Sequence, residues 1–214
     1  MAIYATNEGG SYEPVPAGNH VARCISMIHL GTLKQEFQGK QTELNKIRIT
    51  WELPEETKVF KEENGEQPYT VSKEFTLSMN EKANLRKFLE SWRGKGFTEE
   101  EAKKFDVTKL LGVPCMLSVI HKTSKQGKTY ADISAVSTLP KKTVCPEQVN
   151  PSFEFNFYEW NKEKFESLPD WLKDKMKQSK EYKFIVDPTL KETPKEDDEP
   201  DMNDIGDNSD NLPF

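Results

Sequence analysis

Three stretches in the N-terminal part of the chain have the residue pattern of β-strands. Residues 18–30 are rich in β-branched and aliphatic side chains, and residues 69–77 alternate between apolar and polar ones. The alternation is strict over residues 46–53, which predicts a strand with one buried side and one solvent-facing side. The buried side would carry Ile47, Ile49, Trp51 and Leu53, and the solvent-facing side Lys46, Arg48, Thr50 and Glu52.

A polar segment separates the first two predicted strands, and a helical pattern follows the third. Residues 31–43 are mostly polar, with Phe37 as an isolated aromatic side chain, and predict a flexible loop. Apolar residues at helical spacing predict a helix over residues 81–92, with Asn80 as its cap. A second, short helix is expected to begin at Thr98, where the sequence fits a capping box.

Two further strands are predicted at residues 114–121 and 129–136. The loop between them, residues 122–128, carries three lysines and no acidic residue. The resulting order β-β-β-α-β-β is that of the five-stranded OB barrel, in which a helix lies between the third and fourth strands. The fold class expected is therefore mainly β, an OB-fold barrel, although strand spacing alone also allows another small barrel or a sandwich.

The C-terminal part of the chain has a different character. Aromatic residues cluster between residues 153 and 160, and a helix is predicted over residues 168–179. This segment is expected to pack against the barrel or against a second copy of the chain. The predicted division is an N-terminal arm (1–16), an OB-fold domain (17–140), a small α-containing extension (141–187) and a disordered acidic tail (188–214).

The negative charge of the chain is concentrated at its C-terminus. The formal net charge is -6, yet residues 191–214 contain two lysines and nine acidic residues, which makes that segment -7. The other residues hold 28 basic and 27 acidic side chains, a net charge of +1. An acidic overall composition therefore does not exclude nucleic acid as a partner of the body.

The last residues of the sequence resemble a known recruiting peptide. Asp207 and Asp210 precede a terminal Leu212-Pro213-Phe214. The segment is similar to the C-terminal tip of bacterial and bacteriophage single-stranded DNA-binding proteins, in which an acidic run is followed by Ile/Leu-Pro-Phe. The resemblance implies that these five residues bind partner proteins of DNA replication, recombination or repair. The alternative is a solvated terminus without a partner.

Cations and aromatic rings are available where an OB barrel binds oligonucleotides, across strands two and three and at two neighbouring loops. Single strands bind to cations that follow the phosphates and to rings on which bases stack. Trp51 and Tyr69 alternate with aliphatic residues, so a place in the core is their alternative role. The predicted DNA-binding residues are Lys34, Phe37, Lys40, Lys46, Arg48, Trp51, Tyr69, Lys122, Lys125, Lys128 and Tyr130.

Other chemistries find little support in the sequence. Gly127-Lys128-Thr129 lacks the earlier glycine of a phosphate-binding P-loop, because position 122 is Lys. The three histidines have no metal-ligand spacing, and the three cysteines lack CxxC spacing and suit a reducing cytosol. No cofactor, metal, enzymatic activity or membrane span is expected.

The function expected from sequence is therefore sequence-independent binding of single-stranded DNA, with partner enzymes recruited through the tail. The compartment expected is the cytoplasm, that of a bacterial host if a phage encodes the chain, and a homo-oligomer is possible. The alternative is an OB-fold adaptor or accessory subunit that binds protein rather than DNA.

Overall fold

The computed structural model describes residues 13–190 apart from residue 38 and the side chain of Phe37. Its strands are β1 (Gly18–Phe37), β2 (Lys40–Val59), β3 (Glu66–Thr76), β4 (Pro114–Thr123), β5 (Thr129–Ser137) and β6 (Phe153–Phe155). Its α-helices are α1 (Asn84–Arg93), α2 (Glu99–Lys103), α3 (Lys162–Glu166), α4 (Asp170–Met176) and α5 (Lys180–Val186). Short 3-10 turns lie at Glu62–Asn64, Val107–Leu110, Phe157–Glu159 and Pro188–Leu190.

The strands form one six-stranded sheet in the order β3-β2-β1-β4-β5, with the short β6 pairing in parallel with β1. The other pairings are antiparallel, and within residues 13–190 they do not close the sheet into a barrel. A side chain joins the two edge strands instead. Lys73 Nζ on β3 donates to the carbonyl oxygen of Ile133 on β5 at 2.7 Å and lies 3.6 Å from Asp132 Oδ1. The sheet therefore curls until its edges meet.

One helix closes the inner side of the curled sheet. The helix predicted between the third and fourth strands is confirmed as α1, although it begins at Asn84 rather than at residue 81. Its Leu85, Leu89 and Trp92 are buried against the sheet. The Trp51 ring lies 5.6 Å from that of Trp92, centroid to centroid. The capping box at Thr98 is also confirmed at the start of α2.

The predicted flexible loop over residues 31–43 is wrong. These residues form the far halves of β1 and β2, which pair in register down to Phe37 opposite Lys40. Leu33 and Leu44 are opposite each other in this ribbon, and both are buried. Leu33 packs into a cluster with residues of the C-terminal extension, far away in sequence, so the local polar composition does not reveal its burial.

The extension packs against β1 of the same chain. Ile28, Leu30 and Leu33 of β1 form a second core with aromatic and aliphatic residues of the extension. Those residues are Phe155, Phe157, Phe165, Leu168, Leu172 and Met176. The helix predicted over residues 168–179 is found as the shorter α4, and α5 follows it outside the predicted range. Ser179 caps α5 by accepting a hydrogen bond from the Tyr182 N–H at 3.2 Å. The extension was expected to pack against the barrel or against a second copy of the chain, and in the structure it packs against the sheet.

Candidate nucleic-acid interface

The outer face of β2 and β3 is a polar surface built from residues that face each other in register. Lys46 is opposite Thr76, Arg48 is opposite Glu74, and Thr50 is opposite Ser72. The hydroxyls of Thr50 and Ser72 are hydrogen-bonded at 2.9 Å. The strict alternation of β2 produces this face, because the intervening Ile47, Ile49 and Trp51 point into the core. Lys46, Arg48 and Thr50 therefore lie on the outer side of β2, as the alternation predicts, but all three are half-buried there.

Glu52 departs from that prediction and limits the length of the face. Its side chain is buried although it lies on the same side of β2 as Arg48. The carboxylate accepts hydrogen bonds from the backbone N–H groups of Val149 and Asn150 at 3.1 and 2.9 Å. It also accepts one from Asn150 Nδ2 at 3.0 Å. The segment that leads to β6 therefore crosses the outer side of β2 at Glu52.

Arg48 lies at the centre of the β2–β3 face, between an acid and an aromatic ring. Its guanidinium is 3.6 Å from Glu74 Oε1 and 4.9 Å from the centroid of the Trp171 ring. Partial burial lowers the pKa of Arg48, and Glu74 acts in the opposite direction. The group keeps its charge at neutral pH, because an arginine in a protein is not deprotonated there.

The extension borders this face through α4 and α5. Lys175 Nζ on α4 donates to both carboxylate oxygens of Glu74, at 2.7 and 2.6 Å. Lys180 of α5 forms an ion pair with Glu43 on β2. These two bridges hold the extension against β3 and β2.

Further cations lie on the β1–β2 ribbon and on the β4–β5 loop. Lys34 and Lys40 are exposed near the end of the ribbon. Lys125 and Lys128 are exposed in the loop. Lys122 is paired with Asp132 on β5, Nζ to Oδ2 at 2.8 Å, so an acid absent from the loop sequence lies next to it in space. Four predicted lysines thus present charge to solvent.

Of the aromatic residues predicted to bind DNA, two are buried and one is half-buried. Trp51 is fully buried at 0 % exposure and Tyr69 is 8 % exposed, so both lie in the core and neither offers an open face for a base. Their alternative role is the one found, because the inner side of the curled sheet is its main core. Tyr130 is half-buried beside Lys122. The Phe37 side chain lies outside the described part of the chain.

Sequence reasoning missed Trp171, which is 54 % exposed on α4 and contacts Arg48. A local signal was available. Leu172 and Met176 are four residues apart and form the buried stripe of α4. Trp171 falls outside that stripe and shares a helix face with Lys175, again four residues on. The sequence of α4 therefore marks Trp171 as a surface residue of that helix rather than as a core residue.

An apolar cleft of about 410 Å³ opens on the other side of the sheet. Met27 and Ile47 form its floor, and Lys103 and Asp106 lie among its lining residues. Ile47 points to the opposite side of β2 from Arg48, so this cleft is separate from the β2–β3 face.

The cysteines have no reactive environment. Cys24 and Cys115 are buried, and burial raises the pKa of Cys24 to about 12 and that of Cys115 further still. Cys145 is half-buried, and its pKa is raised by the same cause. A thiol with a raised pKa is a poor nucleophile at neutral pH.

The predicted partner-binding residues Asp207, Asp210, Leu212, Pro213 and Phe214 lie outside the described residues. Among the helices that the structure describes, none has the length and apolar character required to cross a bilayer. The chain matches no protein-family model, and no curated protein matches its sequence.

Proposed function

We propose that this chain binds single-stranded DNA without sequence preference, through the outer face of β2 and β3, during DNA replication, recombination or repair. The observation that carries the proposal is the Arg48 guanidinium at the centre of a polar two-strand face, next to an exposed tryptophan. A cation that contacts phosphate beside a ring that stacks on bases is the combination that sequence-tolerant binding requires.

The course of the strands supports the same proposal. The sheet order β3-β2-β1-β4-β5, with a helix between β3 and β4, supports an OB-like arrangement in which β3 and β5 approach each other without pairing. In that fold, oligonucleotides cross the second and third strands and the adjoining loops. Lys34 and Lys40 then extend the cationic path at one end, and Lys125 and Lys128 are positioned on the β4–β5 loop.

The acidic C-terminal segment has a separate role in this proposal. Asp207 to Phe214 recruits replication or repair enzymes, with its carboxylates steering the encounter and its terminal Leu-Pro-Phe filling an apolar pocket of the partner. The similarity of this segment to the tips of single-stranded DNA-binding proteins is the basis for it.

A titration of the full chain with labelled poly-dT over a series of salt concentrations tests the DNA-binding proposal. We expect binding that strengthens with oligonucleotide length and weakens linearly in log–log form as salt rises. The double variant Lys125→Gln/Lys128→Gln should reduce the salt slope by about one to two units, because each lysine that no longer neutralises a phosphate removes about one unit.

Lys82→Gln/Lys87→Gln is the matched control, because both lysines are exposed at α1, which covers the inner side of the sheet. Equal losses in the two double variants would contradict a defined binding face. Absence of binding at low salt would contradict DNA binding altogether.

Absence of DNA binding at low salt would favour an adaptor that binds protein. The apolar cleft beside Met27 and Ile47 favours this candidate, since its volume of about 410 Å³ suffices for large side chains of a partner.

A further inference from the structure

Trp171 differs from the other tryptophans of the chain in its exposure. All four tryptophans lie in the described residues. Trp51 and Trp92 are in the main core, and Trp160 packs among the rings of Phe157, Phe165 and Tyr182. Trp171 has none of these packing roles and is 54 % exposed. Its indole therefore needs an explanation other than core packing.

Helix α4, which carries Trp171, is anchored by two residues that follow Trp171 in the sequence. Leu172 is buried in the second core, and Lys175 is bonded to Glu74 of β3. These contacts anchor α4 at its apolar stripe and at its sheet-facing side. Helix α4 is thus held beside the β2–β3 face before any ligand arrives, where the Trp171 ring contacts Arg48, and this reduces the entropy lost on binding.

Arg48 covers part of the ring and retains hydrogen-bonding capacity. Its distance to Glu74 Oε1 is long for an ion pair, 3.6 Å, whereas Lys175 donates to both oxygens of Glu74 at 2.7 Å or less. Glu74 is therefore neutralised chiefly by Lys175. The Arg48 donors that do not face Glu74 can bind a phosphate, and the central carbon of the guanidinium lies over the indole, 4.9 Å from the ring centroid.

We infer that Trp171 is a stacking platform for a base of the bound single strand, so that the C-terminal extension forms part of the DNA interface. The base lies against the open part of the indole, and Arg48 binds the phosphate next to that base. The inference rests on the proposed function. It adds a contact outside the barrel and assigns the extension a role in binding besides covering β1.

Intrinsic fluorescence of the full chain tests the inference, because Trp171 is the exposed member of four described tryptophans. Titration of the wild-type chain with unlabelled oligo-dT should quench its emission, since a base stacked on indole quenches it. Trp171→Phe keeps an aromatic face but removes the reporter. It should abolish the quenching and retain affinity within a few-fold, as judged with labelled poly-dT.

Trp171→Ala removes the ring and should weaken binding by about 5- to 140-fold, the range that corresponds to the loss of one stacked base. Tyr158→Ala is the matched control: Tyr158 is also an exposed aromatic residue of the extension, but it stacks on His29 of β1 instead of bordering the β2–β3 face. This control should bind DNA as the wild type does. The melting temperature of each variant shows whether it is folded.

The outcomes separate the inference from the proposed function. If the wild-type chain binds poly-dT but Trp171→Ala binds equally well, or if Trp171→Phe still shows quenching, the platform is refuted and DNA binding stands. If the wild-type chain does not bind at low salt, both are refuted. Should Trp171→Ala fail to fold, the quenching and affinity of Trp171→Phe decide alone.

Discussion

The carboxylate of Glu181 accepts two hydrogen bonds from Thr32, one from the backbone N–H at 2.6 Å and one from the hydroxyl at 2.7 Å. Residue 181 belongs to α5 and residue 32 to β1, so these bonds fix the extension to the sheet at the start of the long ribbon. The backbone of β1 is irregular at this point, with a register shift between His29 and Gly31. The ribbon and the extension therefore depend on each other for their positions.

A side chain at position 31 would push the ribbon and the extension apart. The φ of Gly31 is +79°, and a Cβ there would lie 2.6 Å from both Glu181 Oε2 and Ser179 Cβ. We expect Gly31→Ala to lower the free energy of unfolding by about 2–4 kcal/mol, from left-handed backbone strain together with the displaced α5 contact. Denaturation by urea measures the change.

Gly39→Ala separates the two causes. Gly39 has a similar φ of +77°, but beyond its two chain neighbours no atom of the described residues lies within 4 Å of the position that a methyl group would take there. The control should lose only the strain contribution, about 1 kcal/mol. Equal losses at the two glycines would show that the contact with α5 contributes nothing.

Glu52 is the anchor of the segment that crosses β2. Replacing it with Gln places an amide NH₂ among the three N–H donors of Val149 and Asn150 and removes the charge that they share. We expect Glu52→Gln to cost about 1–3 kcal/mol of stability, the range for a buried polar group left without its partner. Glu55→Gln, on the same strand but exposed, should change stability by less than about 0.5 kcal/mol. A loss of equal size in Glu55→Gln would contradict the role assigned to Glu52.

The cysteines should differ in reactivity in the order of their burial. Burial raises the pKa of all three thiols, most for Cys115 and Cys24 and least for the half-buried Cys145. Because the thiolate is the reacting species, alkylation of the native chain should label Cys145 first and accelerate as pH rises. Mass spectrometry after timed quenching measures the order. Labelling of Cys24 at the rate of Cys145 would contradict the burial described for it.

Deleting residues 193–214 should strengthen DNA binding at low salt. The segment holds one lysine and eight acidic residues, so its removal changes the formal net charge from -6 to +1. On the proposed function, we expect the negative segment to compete with phosphates for the lysines of the body, and salt to screen that competition. Poly-dT titrations of both chains over a salt series should converge as salt rises. An unchanged affinity at every salt concentration would refute the competition.

The local features of the fold were predictable because their causes are local. The alternation around Ile49 identifies β2 and its two faces, and the Thr98 capping box marks the start of α2. The ribbon was not predictable, since Leu33 is buried in a cluster with residues of the distant extension. A polar composition predicts a loop when the partner surface is unknown.

The residues of the candidate site likewise include some that the sequence predicts and others whose position depends on distant parts of the chain. Lys46 and Arg48 follow from strand parity, whereas Trp51 is in the core because the sheet curls over α1. The pairing of Lys122 with Asp132 depends on the register of β4 and β5. Trp171 could be recognised on its own helix, but its place next to Arg48 depends on how the extension docks.

Lys73 affects whether another chain can add a strand to the edges of the sheet. An unpaired strand edge is a template onto which another chain can add a strand, and β3 and β5 both have such an edge in the described sheet. A strand that entered between them would have to displace the ammonium of Lys73 from the Ile133 carbonyl and from Asp132. An inward-pointing charge is one means by which proteins prevent edge-to-edge aggregation. The Lys73 ammonium thereby opposes the addition of a strand between β3 and β5.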